Sequence, residues 1–269
     1  MPFSANSATR RYWGFLKMSG VAHNAKVVGI LQARVSSTRL PGKVMRPLAG
    51  KPMLAQQIAR VLRCQKLDAL VVATSDQPSD DPIAALCASS GLACFRGSLT
   101  DVLDRFHRCA AAYDAQHVVR LTGDCPLADP GLIDELVAFY LALRVDYASN
   151  CRPPTLPDGL DAEIFSFDAL QAAWREARDP FEREHVVPFI VRNPQRFLAA
   201  NLSYAEDLSA QRWTVDEPED FAFVEEVFAA LHAAKPEFGY RDVLALLQQR
   251  PEIAAINRHF KRNAASVRN

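Results

Sequence analysis

The sequence predicts an α/β fold, a mostly parallel central sheet covered by helices on both faces. Three observations carry that expectation: short apolar runs alternate with helix-like stretches over residues 26–149, the runs are apolar at successive rather than alternate positions, and no eighteen consecutive residues are uninterruptedly apolar. Strands of that kind are buried on both sides, and the intervening helices supply the covering layers. The last observation leaves no membrane span to be expected.

The elements follow in order. Residues 26–32 read as a buried strand, 52–64 as a helix with Pro52 in its first turn, and 68–74, the run DALVVAT, as a second buried strand. A helix over 81–90, a short strand over 92–95, a helix over 100–113 and a strand over 117–121 continue the pattern. A helix at 131–143 and a strand at 145–149 complete it. The stretch NCRPPTLPDGLD, residues 150–161, then breaks the alternation with three prolines and a glycine. Beyond it we expect strand-like 162–167, helical 168–177 and 181–192, and a strand over 197–202. Residues 212–215 read as a strand ending at Asp216, 217–234 as a long helix with Pro218 in its first turn, and 240–259 as helical but broken at Pro251. No internal repeat or low-complexity tract is visible.

This organisation assigns residues 25–262 to one domain, within which 150–211 form an excursion. Residues 1–24 are basic, acid-free and rich in Ser and Ala, but their apolar patch at 12–16 is too short for a signal-peptide core. They are expected to be a disordered N-terminal extension, excluded from the fold. The six cysteines stand singly, without the paired spacing of a zinc site or the density of a secreted disulfide scaffold, and so read as reduced core thiols of a cytoplasmic protein.

The formal charge of zero hides an asymmetry. Residues 1–67 hold twelve Lys or Arg and no Asp or Glu, whereas the remaining 202 carry 19 basic and 31 acidic side chains. One end of the chain is therefore built to meet anions. The cations are interleaved with a strand, a turn and a helix instead of forming a basic block with stacking aromatics, which favours a small polyphosphate over nucleic acid. They concentrate in LQARVSSTRLPGKV, residues 31–44, where Arg34, Arg39 and Lys43 accompany Ser36, Ser37 and Thr38. Neither a P-loop nor a G-x-G-x-x-G fingerprint is present, because only Gly42 precedes Lys43 and Val44 follows it. Phosphates must then be held by side chains as well as backbone, with the arginines as planar forks and Lys43 as a point charge.

Two carboxylates stand out independently. Asp124 follows HVVRL through a Thr-Gly turn and Asp216 follows RWTV, so both arrive at strand ends, where ligands of parallel sheets bind. Hard oxygen ligands suit Mg²⁺, yet each Asp also precedes a helix and fits an N-cap. Asp76, Asp101 and Asp104 lie in or near loops after predicted strands, where caps and surface pairs explain them as well as ligand contacts do. Cys125, beside Asp124, reads as packing, since no basic His neighbours it in the motif.

These residues carry a family resemblance. A-R-x-x-S-T-R-L-P-G-K at 33–43 with LAGKPML at 48–54 resembles the signature of the sugar cytidylyltransferases, the acylneuraminate and 3-deoxy-manno-octulosonate group, and within it the spore-coat-polysaccharide type. TSDQPSDDPI at 74–83, GSLTDVLDRF at 97–106, RLTGDCPLADP at 120–130, PDGLDAEIFS at 157–166, REHVVPFI at 183–190 and WTVDEPEDF at 213–221 extend it in order. The resemblance implies a Rossmann-like nucleotidyltransferase fold of the nucleotide-diphospho-sugar transferase kind. It also implies transfer of CMP from CTP to a small anionic sugar, with pyrophosphate leaving, for surface polysaccharide or glycan synthesis. By this likeness Arg34 and Lys43 are catalytic, Ala33, Arg34, Ser37, Arg39, Lys43 and Asp76 bind the nucleotide and its phosphates, and Asp124 and Asp216 hold Mg²⁺. Asp158, Asp161, Glu163, Arg183 and His185 meet the acceptor, and the 150–211 excursion makes a homodimer. The chain has Thr122 where some members have Gln, and Val35-Ser36 replaces a commoner x-Gly, so CTP is taken from the resemblance and not from pocket residues. Another base, a sugar-phosphate acceptor, or a glycosyltransferase of the related fold are the alternatives, the last lacking an Asp-x-Asp motif after a strand.

Overall fold

A computed structural model describes residues 26–262. The N-terminal extension assigned to residues 1–24 lies outside the described residues. The first strand, β1 (Val27–Gln32), is buried without a polar side chain up to Leu31 because both its faces are covered. Val27 and Leu31 enter one apolar cluster and Val28 and Ile30 the other, so the sheet separates two cores. A loop and a short 3₁₀ turn lead to a small hairpin, β2 (Pro47–Leu48) and β3 (Lys51–Pro52), which the sequence pattern does not announce. Helix α1 (Met53–Val61) follows directly.

The alternation continues as β4 (Ala69–Ser75), α2 (Asp81–Ser89), β5 (Ala93–Gly97), α3 (Val102–Ala112), β6 (His117–Thr122) and α4 (Pro130–Leu143). Next come β7 (Tyr147–Ser149), β8 (Glu163–Ser166), α5 (Phe167–Glu176), α6 (Pro180–His185), α7 (Pro188–Arg192) and β9 (Ala199–Asn201). The chain closes with α8 (Pro218–Leu231), α9 (Tyr240–Gln249) and α10 (Pro251–Ala255). The seven-stranded sheet runs β5-β4-β1-β6-β8-β7-β9. Its β5-β4-β1-β6 half is parallel, as expected, while β8 is inserted antiparallel to both β6 and β7. Among the described residues no helix is long and apolar enough to cross a membrane.

Two expectations are corrected. The helix expected over 181–192 is two short ones, because Val186 takes a left-handed φ of 71° and Pro188 has no N–H to continue the ladder. Residues 212–215 form no strand; their pairing is a single bridge between Arg212 and Asp158. Trp213, Thr214 and Val215 are buried nonetheless, threading between loops with Trp213 N–H on the Asp158 carbonyl and Val215 N–H on the Asp124 carbonyl. Both flanks of β6 are already taken by β1 and β8, so this apolar segment is buried without joining the sheet.

Candidate active site

The parallel strands deliver their carboxyl ends to one edge, and the loop after β1 is built there. Ala33 N–H bonds the Ala73 carbonyl, and Val35 N–H bonds Asp80 Oδ1 at 2.7 Å. Asp80 is fully buried and also accepts from the Ser75 backbone and hydroxyl, so one carboxylate ties the loops after β1 and β4 together. Gly42, with a left-handed φ of 70°, turns the chain inward at the start of the 3₁₀ turn. Opposite, Gly123 lets the turn after β6 approach: a Cβ there would stand 2.8 Å from Ala33 Cβ and 3.0 Å from the Gln32 carbonyl.

That inward turn buries Lys43 to 8% exposure. Its Nζ donates to Asp216 Oδ1 at 2.8 Å, Asp124 Oδ2 at 3.1 Å and the Val215 carbonyl at 2.7 Å. All three ammonium donors are thereby used. Burial alone would lower the Lys43 pKa, but Asp124 and Asp216 outweigh it and raise the value. For Asp124, burial acts to raise the pKa, and Lys43 with hydrogen bonding from Thr122 overcomes it and holds the carboxyl at about 2. Asp216 Oδ2 is shared by Arg39 Nη2 at 3.1 Å and Arg212 Nη2 at 3.2 Å, while Arg39 Nη1 reaches Glu217 at 2.9 Å.

Neither aspartate caps a helix. Asp129 accepts from Gly131 and Leu132 N–H at the start of α4, and Asp220 takes the Asp216 and Glu217 N–H groups at the start of α8. The carboxylates of Asp124 and Asp216 are instead set on one cationic point. Two carboxylates and a carbonyl around a single positive charge form a hard oxygen donor set, which fits Mg²⁺, an ion bound by one or two carboxylates together with substrate phosphates. Among the described residues no group of three or more His, Cys, Asp or Glu side chains converges as a metal cage.

Around this node lies a cleft of about 480 Å³, a size suited to a small ligand. Ala33, Arg34, Ser37, Arg39, Lys43, Asp124, Asp216 and His185 line it, so the structure brings these expected site residues together. The others are placed elsewhere. Asp76 is exposed beyond β4 and accepts from the Gln77 amide. Asp158 pairs with Arg212, and Asp161 with Arg262, beneath the proline-rich loop. Arg183 clasps Asp101 through Nε and Nη2 and donates Nη1 to the Trp174 carbonyl, which commits the guanidinium. Asp104 accepts from the Trp174 indole. Glu163 is 3% exposed and stands behind the cleft wall against Arg120. The Cys125 thiol is buried, and burial and Asp124 push its pKa well up, which leaves it inert.

The cleft also holds residues that sequence reasoning missed: Arg105 and Arg120, with Val102 and Glu184. A signal existed for one of them. In HVVRLT, Arg120 is the lone charge inside a strand buried on both faces, a position that demands a buried partner or a ligand.

The chain matches the cytidylyltransferase family over residues 28–254. It is 32% identical over 235 residues to the spore coat polysaccharide biosynthesis protein SpsF of Bacillus subtilis, covering 85% of this chain and 96% of that protein. A shorter match, 34% identical over 114 residues, links 42% of this chain to 44% of the 3-deoxy-manno-octulosonate cytidylyltransferase of Geotalea daltonii. The solved structure of a cytidylyltransferase from Leptospira borgpetersenii superposes with a TM-score of 0.82 at 32% identity, over 86% of this chain and 97% of that one.

Proposed function

The chain belongs to the cytidylyltransferase family, and from that premise we propose that the cleft transfers CMP from CTP to a hydroxyl of a small anionic sugar, releasing pyrophosphate, in cytoplasmic synthesis of a surface polysaccharide or glycan. The observation that carries the reading is the node itself: Lys43 held between Asp124 and Asp216 beneath a loop of further cations. In this reaction an acceptor hydroxyl oxygen forms a bond to the α-phosphorus and its proton passes to solvent, while the bond from that phosphorus to the bridging β-oxygen breaks and the electron pair leaves with pyrophosphate. No protein nucleophile is needed. The chain must position the two partners in line and neutralise charge on the phosphate oxygens.

Arg34 and Arg39 offer planar donors, and Lys43 a point charge, along one wall of the cleft. Arg39 and Lys43 are held on carboxylates, so each would exchange a carboxylate contact for a phosphate oxygen when the triphosphate enters with Mg²⁺. Asp124 and Asp216 are the residues that would hold Mg²⁺, which when bound supplies charge neutralisation at the phosphate oxygens. Homodimerisation through 150–211 belongs to the same reading, supported by two large apolar side chains exposed within that stretch, Phe181 at 46% and Leu198 at 65%. Light scattering at micromolar concentration should then give twice the chain mass; a monomer would count against it.

The direct test is pyrophosphate release from each of the four ribonucleoside triphosphates with Mg²⁺ and a panel of sugar acids. CTP should support acid-dependent release well above the other three. Equal use of ATP or UTP would overturn the base assignment.

A further inference from the structure

The two carboxylates of the node reach it by different routes. Asp124 follows β6, a strand paired on both flanks. Asp216 follows the segment 212–215, whose pairing is limited to the bridge between Arg212 and Asp158. A site of this kind has to be held to within about half an ångström by its supporting residues, so side chains must do for Asp216 what a sheet does for Asp124.

Asp220 and Arg212 supply that support. Asp220 Oδ2 takes the Asp216 N–H at 3.0 Å and the Glu217 N–H at 2.9 Å. Buried Arg212 grips both oxygens of Asp220 through Nε and Nη2, each at 2.9 Å, and the same Nη2 reaches Asp216 Oδ2 at 3.2 Å. Its Nη1 reaches Asp158 Oδ2 at 3.3 Å. Behind this pair passes the segment 257–262, which follows α10 and lies past residue 254, where the family match stops. Asn257, 2% exposed, donates its side-chain amide to the Arg212 carbonyl and to Asp220 Oδ1, both at 2.9 Å. The Phe260 ring centre stands 5.8 Å from the Arg212 guanidinium carbon. Arg262 fastens the segment to the proline-rich loop through the Leu156 carbonyl at 2.9 Å and the Asp161 carboxylate.

We propose that Asn257 is a positioning residue for Asp216, acting through Arg212 and Asp220, so that the segment 257–262 completes the cation-binding half of the cleft. The inference rests on the reading of Asp124 and Asp216 as the residues that hold Mg²⁺. An amide suits the place because it donates to a carbonyl and a carboxylate at once and adds no charge beside the Arg212 ion pairs. Without it, a buried carbonyl and a buried carboxylate oxygen each give up a donor, and the fork that orients Asp216 loosens. Asn257 itself is separated from Asp216 by Arg212 and Asp220.

The experiment measures CTP affinity by calorimetry, with Mg²⁺ and with EDTA, and the Mg²⁺ concentration that gives half-maximal pyrophosphate release. Wild type should bind CTP more tightly with Mg²⁺, and Asp216→Asn should lose most of that gain. Asn257→Ala should raise the half-maximal Mg²⁺ about tenfold, the lower end for outer partners of metal ligands, and cut the Mg²⁺-linked gain in CTP affinity several-fold. Its CTP affinity in EDTA should stay within about twofold of wild type. Asn257→Asp keeps the volume but sets an acceptor against the Arg212 carbonyl and Asp220, so its loss should be at least as large, whereas a packing role alone would make it the milder variant. Phe260→Ala, at a half-buried position, should shift the Mg²⁺ requirement the same way by less. Ser166→Ala removes the cap of α5, where Oγ accepts the Ala169 N–H at 3.1 Å, and should lower the melting temperature with no change in the Mg²⁺ response. A wild-type Mg²⁺ response in folded Asn257→Ala, or in Phe260→Ala should neither Asn257 variant fold, would overturn the inference and leave the Mg²⁺ site standing. So would a milder Asn257→Asp, or an equal shift in Ser166→Ala. A wild type whose CTP affinity ignores Mg²⁺, or an Asp216→Asn variant that keeps the full gain, would overturn the parent reading and this inference with it.

Discussion

The ion pairs of Lys43 and the phosphate contact proposed for it separate on mutation. Its ammonium bridges Asp124 Oδ2 and Asp216 Oδ1, so Lys43→Ala leaves two carboxylates facing one another across a partly buried gap. The variant should melt below wild type in metal-free buffer, and Mg²⁺ should recover more of its melting temperature than it adds to wild type, because an ion that binds the folded state alone stabilises it. Equal Mg²⁺ responses would contradict the carboxylate pair as a cation site. For CTP, Lys43→Ala and Arg39→Ala should each weaken binding about 10- to 150-fold, from the ~1.5–3 kcal/mol of a hydrogen bond to a charged group. At this scale the gathering of motif 33–43 and both aspartates around one cleft was legible, because cations and carboxylates placed just after apolar strands arrive at one sheet edge. Arg105 was not, since a cation inside a helix reads as an ordinary surface position until the opposing wall is known, whereas Arg120 carried a signal, a lone charge in a buried strand, that went unread.

Elements are held together by caps that reach between them. Asp129 Oδ1 accepts from Gly131 and Leu132 N–H, and its Oδ2 accepts from Tyr240 N–H at 2.7 Å, so one buried side chain starts α4 and fastens α9 to it. Asp129→Ala removes a cap worth about 1 kcal/mol and leaves a second amide without its partner, for a total of about 2–3 kcal/mol. The melting temperature should fall by roughly 4–12 °C, at about 2–4 °C per kcal/mol for a chain of this size. A drop under 2 °C would show that solvent replaces the cap freely. Periodicity located α4 and α9 but not this link, which spans 111 positions. The same limit explains 181–192 and 212–215: apolar spacing reports burial, whereas Val186 with Pro188 and the occupied flanks of β6 decide what the backbone does.

At the scale of the whole molecule, the long loops are anchored by ion pairs beneath the cleft. Burial and the neighbouring Asp161 push Asp158 up to about 6, with Arg262 and Arg212 opposing only in part. The folded state therefore holds this proton more tightly than the unfolded chain, whose carboxyl titrates near 3.9. Its contribution to stability is complete below about pH 4 and is lost as pH rises through about 6. Urea midpoints of wild type should decline relative to those of Asp158→Asn over that window; parallel curves would contradict the assignment. The parallel half of the sheet was readable because βαβ units are local, with each strand followed by the helix that covers it. The antiparallel insertion of β8 was less so, because its partners are chosen after the proline-rich loop has returned the chain to the sheet.

Under the proposed function, Asp124 and Asp216 act together at the reacting phosphates. Asp124→Asn and Asp216→Asn keep side-chain size and hydrogen bonding while removing one charge each, and neither disturbs a helix cap. Melting temperature and pyrophosphate release from CTP with a sugar acid should be followed on the same preparations through a Mg²⁺ titration. The predicted result is a folded protein with only a modest loss of melting temperature and a fall in turnover of roughly two or more orders of magnitude for each variant. Wild-type turnover in both variants at limiting Mg²⁺ would contradict it.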